Sequence, residues 1–125
     1  FFPEEARHQI LAALAQNLVA LIGQRLVPAL TQRRAVSVEL MLATAHIRDL
    51  IQRGLLADIR EAIGRAREQG LQTFDQHLFE LYEAGKISVE EALRHADSRT
   101  DLTLRIKLGK QISSNDLPFH MQDAE

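Results

Sequence analysis

The side chains of this chain that could do acid–base or metal chemistry are five histidines and a few paired carboxylates. The histidines are His8, His46, His77, His95 and His120, and no two of them have the four-residue spacing of a helical zinc site. His95 with Asp97 could form a general base and its orienting carboxylate, although polar residues are also expected at the helix end predicted there. Glu4–Glu5 and Glu90–Glu91 each fall in the first turn of a predicted helix, where the helix dipole favours acids. We therefore predict no catalytic and no metal-binding residue in this chain.

Nucleotide and thiol chemistry are not indicated either. The sequence has no cysteine, and it has neither GxxxxGK[ST] nor GxGxxG, the glycine-rich loops that cradle phosphates. Gly54, Gly70 and Gly85 instead follow predicted helices, where glycine commonly forms the C-terminal cap. We predict no cofactor-binding residue.

The composition is that of one globular domain, or a piece of one, with enough apolar residues (46%) to form a core. A formal charge of −2 argues against a general nucleic-acid binder. No apolar run reaches the ~20 residues of a membrane-spanning helix, so we expect no transmembrane segment. The opening Phe-Phe-Pro has no initiating Met and no signal peptide, and we expect the chain to be a fragment of a longer protein.

Arginine is the prevailing cation, and its densest run lies in the middle of the chain. The run consists of Arg48, Arg53, Arg60, Arg65 and Arg67, interleaved with acids. A solvated face of mixed charge and a protein interface are both consistent with this pattern.

The first third of the chain predicts a long helix followed by a hairpin. Pro3 and two acids begin a helix predicted over residues 3–23, in which apolar residues recur at three- and four-residue steps. The alternation from Val36 to Leu42 predicts a strand, with residues 24–27 as its antiparallel partner across a turn at Pro28–Arg33. Because two strands alone are marginal in water, we expect this hairpin to belong to a larger sheet.

The remainder predicts five short helices and a polar tail. The predicted N-caps are Thr44, Thr73 (capping box with Gln76), Ser88 (capping box with Glu91) and Asp97 or Ser98. The predicted fold is therefore mainly α, a compact bundle of short helices preceded by a long helix and a β-hairpin. We divide it into residues 1–43, a helical part at 44–108 and a flexible tail at 109–125.

Several residue strings resemble motifs of the PilT/PilU family of pilus retraction ATPases. They are TAHIRDLI at Thr44–Ile51 (TPAIRNLI in the family), GLQTFDQ at Gly70–Gln76 (GMQTFDQ), the pattern LYxxGxIxxExAL from Leu81 to Leu93, and ADSRTDLTLRIKL at Ala96–Leu108 (ADSxxDLRLRIKL). The opening Phe2–Glu5 resembles the segment that follows the family's histidine-containing motif. The resemblance covers roughly residues 1–108. His46 in place of Ala and Asp49 in place of Asn favour the PilU branch.

The resemblance implies a C-terminal piece of a cytoplasmic P-loop ATPase of the type II/IV secretion superfamily. The parent would form a hexameric ring at the inner membrane, bind ATP and Mg upstream of Phe1, and drive pilus retraction and twitching motility. Residues 1–43 would complete its RecA-like core, and residues 44–108 would form its C-terminal subdomain. Its partners would be further copies of itself and the pilus machinery, and we expect no nucleic acid.

The resemblance also implies that one segment serves retraction rather than hydrolysis. That segment comprises Ala45, His46, Ile47, Arg48, Asp49, Leu50 and Ile51. Helical spacing places Ile47, Leu50 and Ile51 toward a core, which leaves Arg48, Asp49 and Arg53 as candidate interface residues.

Two other functions are compatible with the pattern alone. A stand-alone helical interaction module would recruit a partner through its arginine-rich face. A helix-turn-helix DNA binder over Leu55–Leu81 is disfavoured by the net charge and by the acids in every helix.

Overall fold

The computed structural model describes residues 3–115. Its elements are α1 (Glu4–Asn17), β1 (Ala20–Pro28), β2 (Arg34–Leu42), α2 (Ala45–Gln52), α3 (Ile59–Arg65), α4 (Phe74–Glu83), α5 (Val89–His95) and α6 (Arg99–Asn115). Short 3₁₀ turns at Leu56–Asp58 and Arg67–Gln69 flank α3. The predicted fold class, mainly α with one β-hairpin, is confirmed.

The first helix ends at Asn17, so the prediction of a helix through residue 23 is wrong at its end. Leu18 adopts an extended backbone, and the chain enters β1 at Ala20. Leu21 and Ile22 continue the apolar spacing of the helix, but they lie opposite Met41 and Leu40 of β2. Pairing with β2 satisfies their backbone groups, which overrides the local helical pattern.

The hairpin forms as predicted, with a longer first strand. β1 and β2 are antiparallel, from Ala20 opposite Leu42 to Pro28 opposite Arg34. The inner face packs on α4, and it buries Val27, Ala35, Ser37 and Met41. The outer face is apolar but open: Ile22 is 63% exposed, Leu26 55% and Val36 42%. We call this surface, formed by Ile22, Leu26 and Val36, the outer hairpin face.

The two edges of the hairpin differ. Along β2, Leu40 exchanges both backbone hydrogen bonds with Gln72, each 2.9 Å. The Gln72 side chain donates to the Val38 carbonyl (2.7 Å), and the Val38 N–H donates to His77 Nδ1 (2.8 Å). Along β1, the edge that faces away from β2 has no strand partner within residues 3–115.

Two apolar clusters hold the elements together. One joins the turn end of the hairpin to α4, α5 and α6, and it contains Val27, Leu78, Ile87 and Leu102, each at most 2% exposed. The other joins α1 and the end of β2 to α2 and α3. Both clusters draw on residues from each side of the boundary predicted at residues 43 and 44, and the division into domains stays a prediction.

The helix ends follow the predicted caps closely. Thr73 and Gln76 form a complete capping box, whereas Ser88 caps α5 without the return bond from Glu91. Glu91 turns instead toward Arg94 and His95, at 3.4 and 3.6 Å.

Helix α6 is longer than predicted. Its residues 109–115 are helical, so the tail does not begin at residue 109. The remainder of the predicted tail, residues 116–125, lies outside the described residues.

Candidate coupling surface

Helix α2 carries the predicted retraction segment, and its apolar side is locked into the core. The Thr44 hydroxyl accepts a hydrogen bond from the Ile47 N–H at 3.3 Å, which begins the helix at the predicted cap. Ile47, Leu50 and Ile51 are 1%, 5% and 4% exposed. The expectation that these three side chains face a core is confirmed.

Arg48, a predicted interface residue, has a partner inside the chain. Its Nη1 donates to the Ala15 carbonyl at 2.6 Å, near the C-terminal end of α1. Cations favour this end of a helix, where carbonyls lack intrahelical partners. Arg48 therefore fixes α1 on α2, in addition to any role at an interface.

Asp49 and Arg53 occupy the outward side of α2. Their side chains are 55% and 62% exposed, and they form an i, i+4 ion pair of 3.3 Å. An exposed pair of this kind adds less than about 1 kcal/mol to stability. Both side chains are thus available to a partner at little cost to the fold.

Ala45 and His46 begin the helix on its exposed side. His46 lines a cleft of about 370 Å³ between α2 and α3. Asp58, Glu61 and Arg65 also line this cleft, and the last two form a 2.5 Å ion pair. The seven residues of the predicted segment thus form three groups. Ile47, Leu50 and Ile51 are buried, and Arg48 is hydrogen-bonded to α1. Ala45, His46 and Asp49 are exposed.

A polar junction between β1 and the helical part is a feature that the sequence did not reveal. Arg25 donates to the His95 carbonyl at 2.9 Å and to Asp97 Oδ1 at 2.8 Å. Its guanidinium also lies 3.9 Å from the centroid of the Phe74 ring. We call these contacts the Arg25 junction.

Asp75 completes the junction from α4. Its two carboxylate oxygens accept from the backbone N–H groups of Asp97 and Ser98, at 2.7 and 2.8 Å. The segment between α5 and α6 is therefore tied both to the hairpin and to α4. Arg25 and Asp97 are 72 positions apart in the sequence. No local sequence signal predicts a contact between residues so far apart.

The alternative of a His95–Asp97 acid–base pair receives no support from the geometry. His95 Nδ1 lies 3.0 Å from the Glu91 carbonyl oxygen, whereas Asp97 is held by Arg25 and, at 3.8 Å, by Arg60. The Asp97 side chain thus belongs to the Arg25 junction, whereas the His95 ring contacts Glu91 within α5.

Within residues 3–115, no group of three or more His, Asp or Glu side chains is placed to hold a metal ion. None of the helices described here is both long enough and apolar enough to span a bilayer. The buried side of α2 fixes its exposed charged side relative to α1 and the end of β2.

Comparisons with known proteins identify relatives of the chain as a whole. No family model matches the chain. The chain is 44% identical over 119 residues to the type IV pilus ATPase PilU of Pseudomonas aeruginosa, a match that covers 94% of the chain and 31% of PilU. It is 33% identical over 95 residues to the type IV pilus retraction ATPase PilT of the same organism, with 76% of the chain and 28% of PilT covered.

The fold is similar to that of a solved relative. The crystal structure of the pilus retraction motor PilT with bound ADP superposes with a TM-score of 0.68 at 28% identity. That match covers 78% of the chain and 27% of the PilT chain. The chain thus spans less than a third of the length of the relatives that it matches.

Proposed function

Since the chain belongs to the PilT/PilU family of type IV pilus ATPases and corresponds to their C-terminal region, we propose that it is the coupling end of a retraction motor. The parent would be a hexameric P-loop ATPase, working in the cytoplasm at the inner membrane to retract pili in twitching motility. Its ATP and Mg²⁺ sites would lie outside these residues. The observation that carries the proposal is the 44% identity to PilU over 119 residues.

The outer hairpin face supports a place for this chain within a larger sheet. A monomer rarely leaves neighbouring apolar side chains open on one sheet face, because burying them is favourable by roughly 25 cal/mol per Å². Here Ile22, Leu26 and Val36 are between 42% and 63% exposed, beside a strand edge that is open. Further strands and helices of an ATPase core would cover both. A stand-alone interaction module would not be expected to leave them open.

The exposed side of α2 supports the assignment of coupling to the retraction segment. Asp49 and Arg53 are displayed on a helix whose opposite side is buried, so that force on these side chains is transmitted to the core. Arg48 continues this path to α1 through the Ala15 carbonyl.

The test compares hydrolysis with retraction in the chain extended upstream by its own genomic sequence. We expect the 125-residue chain to be inert toward ATP, and the extended protein to hydrolyse ATP and form rings. In the extended protein, the Asp49→Ala/Arg53→Ala double variant should hydrolyse ATP normally and fail to retract pili. ATP turnover by the short chain would overturn the proposal.

A matched control comes from another surface ion pair. Arg67 and Glu80 are 37% and 44% exposed, and they pair outside the retraction segment. The Arg67→Ala/Glu80→Ala double variant should keep both hydrolysis and retraction. Equal loss of retraction in the two double variants would contradict the proposed coupling role of the exposed side of α2.

A further inference from the structure

The outer side of α5 and α6 carries two adjoining clefts that lie apart from the retraction segment. One, of about 520 Å³, is lined by Val89, Glu90, Leu93, Arg94, Ala96 and Arg99. The other, of about 460 Å³, is lined by Arg99, Thr100, Thr103, Leu104 and Lys107. Because Arg99 lines both, the clefts form one surface, which we call the α5–α6 groove.

The floor of the groove is apolar. Val89, Leu93 and Ala96 are partly buried, and they pack against the cluster that joins the hairpin to α4, α5 and α6. Leu104 is 57% exposed on α6. A partner side chain placed here would gain apolar contact without disturbing the core.

The rim of the groove is basic. Three cations, Arg94, Arg99 and Lys107, line it together with a single carboxylate, Glu90. Arg94 is 72% exposed and lies 3.4 Å from Glu91, while Arg99 and Lys107 form no ion pair within residues 3–115. Three of the 17 acids of the chain, Asp116, Asp123 and Glu125, lie outside the described residues, so residues 3–115 are close to neutral and the groove is a local concentration of cations.

We propose that the α5–α6 groove binds an acidic segment of a partner protein. An apolar side chain of that segment would lie against Leu93 and Leu104, and its carboxylates would pair with Arg99 and Lys107. Arginine suits this role, since its planar fork matches the geometry of a carboxylate. The inference uses only the geometry and charge of this surface, and it does not rest on the retraction proposal.

An anionic bilayer fits the groove less well than an acidic polypeptide. Binding of a helix to a membrane surface scales with the apolar area that it inserts, and within residues 99–111 of α6 the large exposed apolar side chains are Leu104 and Leu108. Single-stranded nucleic acid would need aromatic side chains for stacking, and none lines either cleft.

The test is a selection of random 12-residue peptides displayed on phage against the 125-residue chain, followed by fluorescence anisotropy of the enriched peptides. We expect the enriched peptides to combine Asp or Glu with Leu, Ile or Phe. Reversal of a rim charge in Arg99→Glu or Lys107→Glu should weaken their binding at least about fivefold, because like charges then face each other. Leu104→Ala should also weaken it, since apolar contact is lost.

Matched controls lie on the same helix. Lys110→Glu makes the same charge change, and Leu108→Ala the same truncation of a half-exposed leucine, at positions that line neither cleft. Both variants should bind the selected peptides like the parent chain, and circular dichroism should show all five variants to be folded.

Several outcomes would overturn the proposal. These are no enrichment, enrichment of basic or uncharged peptides, or equal effects of groove and control variants. If the parent chain bound phosphatidylglycerol vesicles but no peptide, and Arg99→Glu abolished the vesicle binding, the groove would be assigned to membranes. If sedimentation velocity showed that the parent chain self-associates and that Arg99→Glu does not, the groove would be assigned to contact with a second copy of this chain.

Discussion

Replacing Arg25 by alanine should destabilise the chain more than any other change of a surface arginine. The substitution removes two hydrogen bonds, of 2.9 and 2.8 Å, and the stacking of the guanidinium on Phe74. The Arg25 side chain is 34% exposed and Asp97 is 16% exposed, so solvent screens the ion pair in part. With about 0.75–1.5 kcal/mol for each screened hydrogen bond and about 0.5–1 kcal/mol for the stacking, we expect a loss of about 2–4 kcal/mol.

The measurements are urea unfolding and thermal unfolding of Arg25→Ala, both monitored by circular dichroism. For a chain of this length, 1 kcal/mol corresponds to a shift in Tm of about 4 °C, so the expected loss lowers Tm by about 8–16 °C. A double-mutant cycle with Asp97→Ala should give a coupling energy of about 1–2 kcal/mol, because the two side chains are in direct contact. Arg33→Ala, in the exposed hairpin turn, is the control and should change stability by less than about 0.5 kcal/mol. A loss below about 0.5 kcal/mol in Arg25→Ala, with no coupling to Asp97, would refute the role of the junction.

Further predictions concern two glycines and a cap, all measured by the same unfolding assay. Gly23→Ala would place a Cβ 2.9 Å from the Phe74 ring, so we expect destabilisation by about 1–3 kcal/mol through overpacking. The same change at Gly64, inside α3, meets nothing closer than 3.6 Å and should stabilise by about 0.5–1 kcal/mol; equal effects at the two sites would contradict this reading. Thr73→Ala removes the capping box of α4 and should cost about 1 kcal/mol, whereas Thr73→Ser should keep most of it. No difference between the alanine and serine variants would show that the hydroxyl does not stabilise the helix.

The short helices were predictable because each carries its signals within a few residues. Thr44 and Thr73 begin helices as expected, and Gly70, with φ +94°, ends a turn in a conformation that few other residues adopt. The limit of the first helix was not predictable in the same way. Leu21 and Ile22 are both apolar, on opposite faces of β1, and the strand therefore lacks the alternation that identifies a half-buried strand.

The candidate coupling surface was predictable only in part. The spacing of Ile47, Leu50 and Ile51 showed which side of α2 is buried, since helical periodicity is local. The internal bond of Arg48 and the contact of Arg25 with Asp97 depend on how distant elements pack. Such contacts follow from tertiary structure, and a single sequence holds no local trace of them.

The difference between the two hairpin edges limits how copies of this chain can associate. A fibre grows edge to edge only if each molecule has two open strand edges, because each molecule must pair with a neighbour on both sides. Here Gln72 and His77 occupy the β2 edge, and only the β1 edge is open within the described residues. Pairing through β1 would join two copies about a twofold axis and stop there, because a symmetric pair consumes both open edges. Gln72 and His77 thus block growth along β2, so that edge pairing ends in a closed pair rather than a polymer.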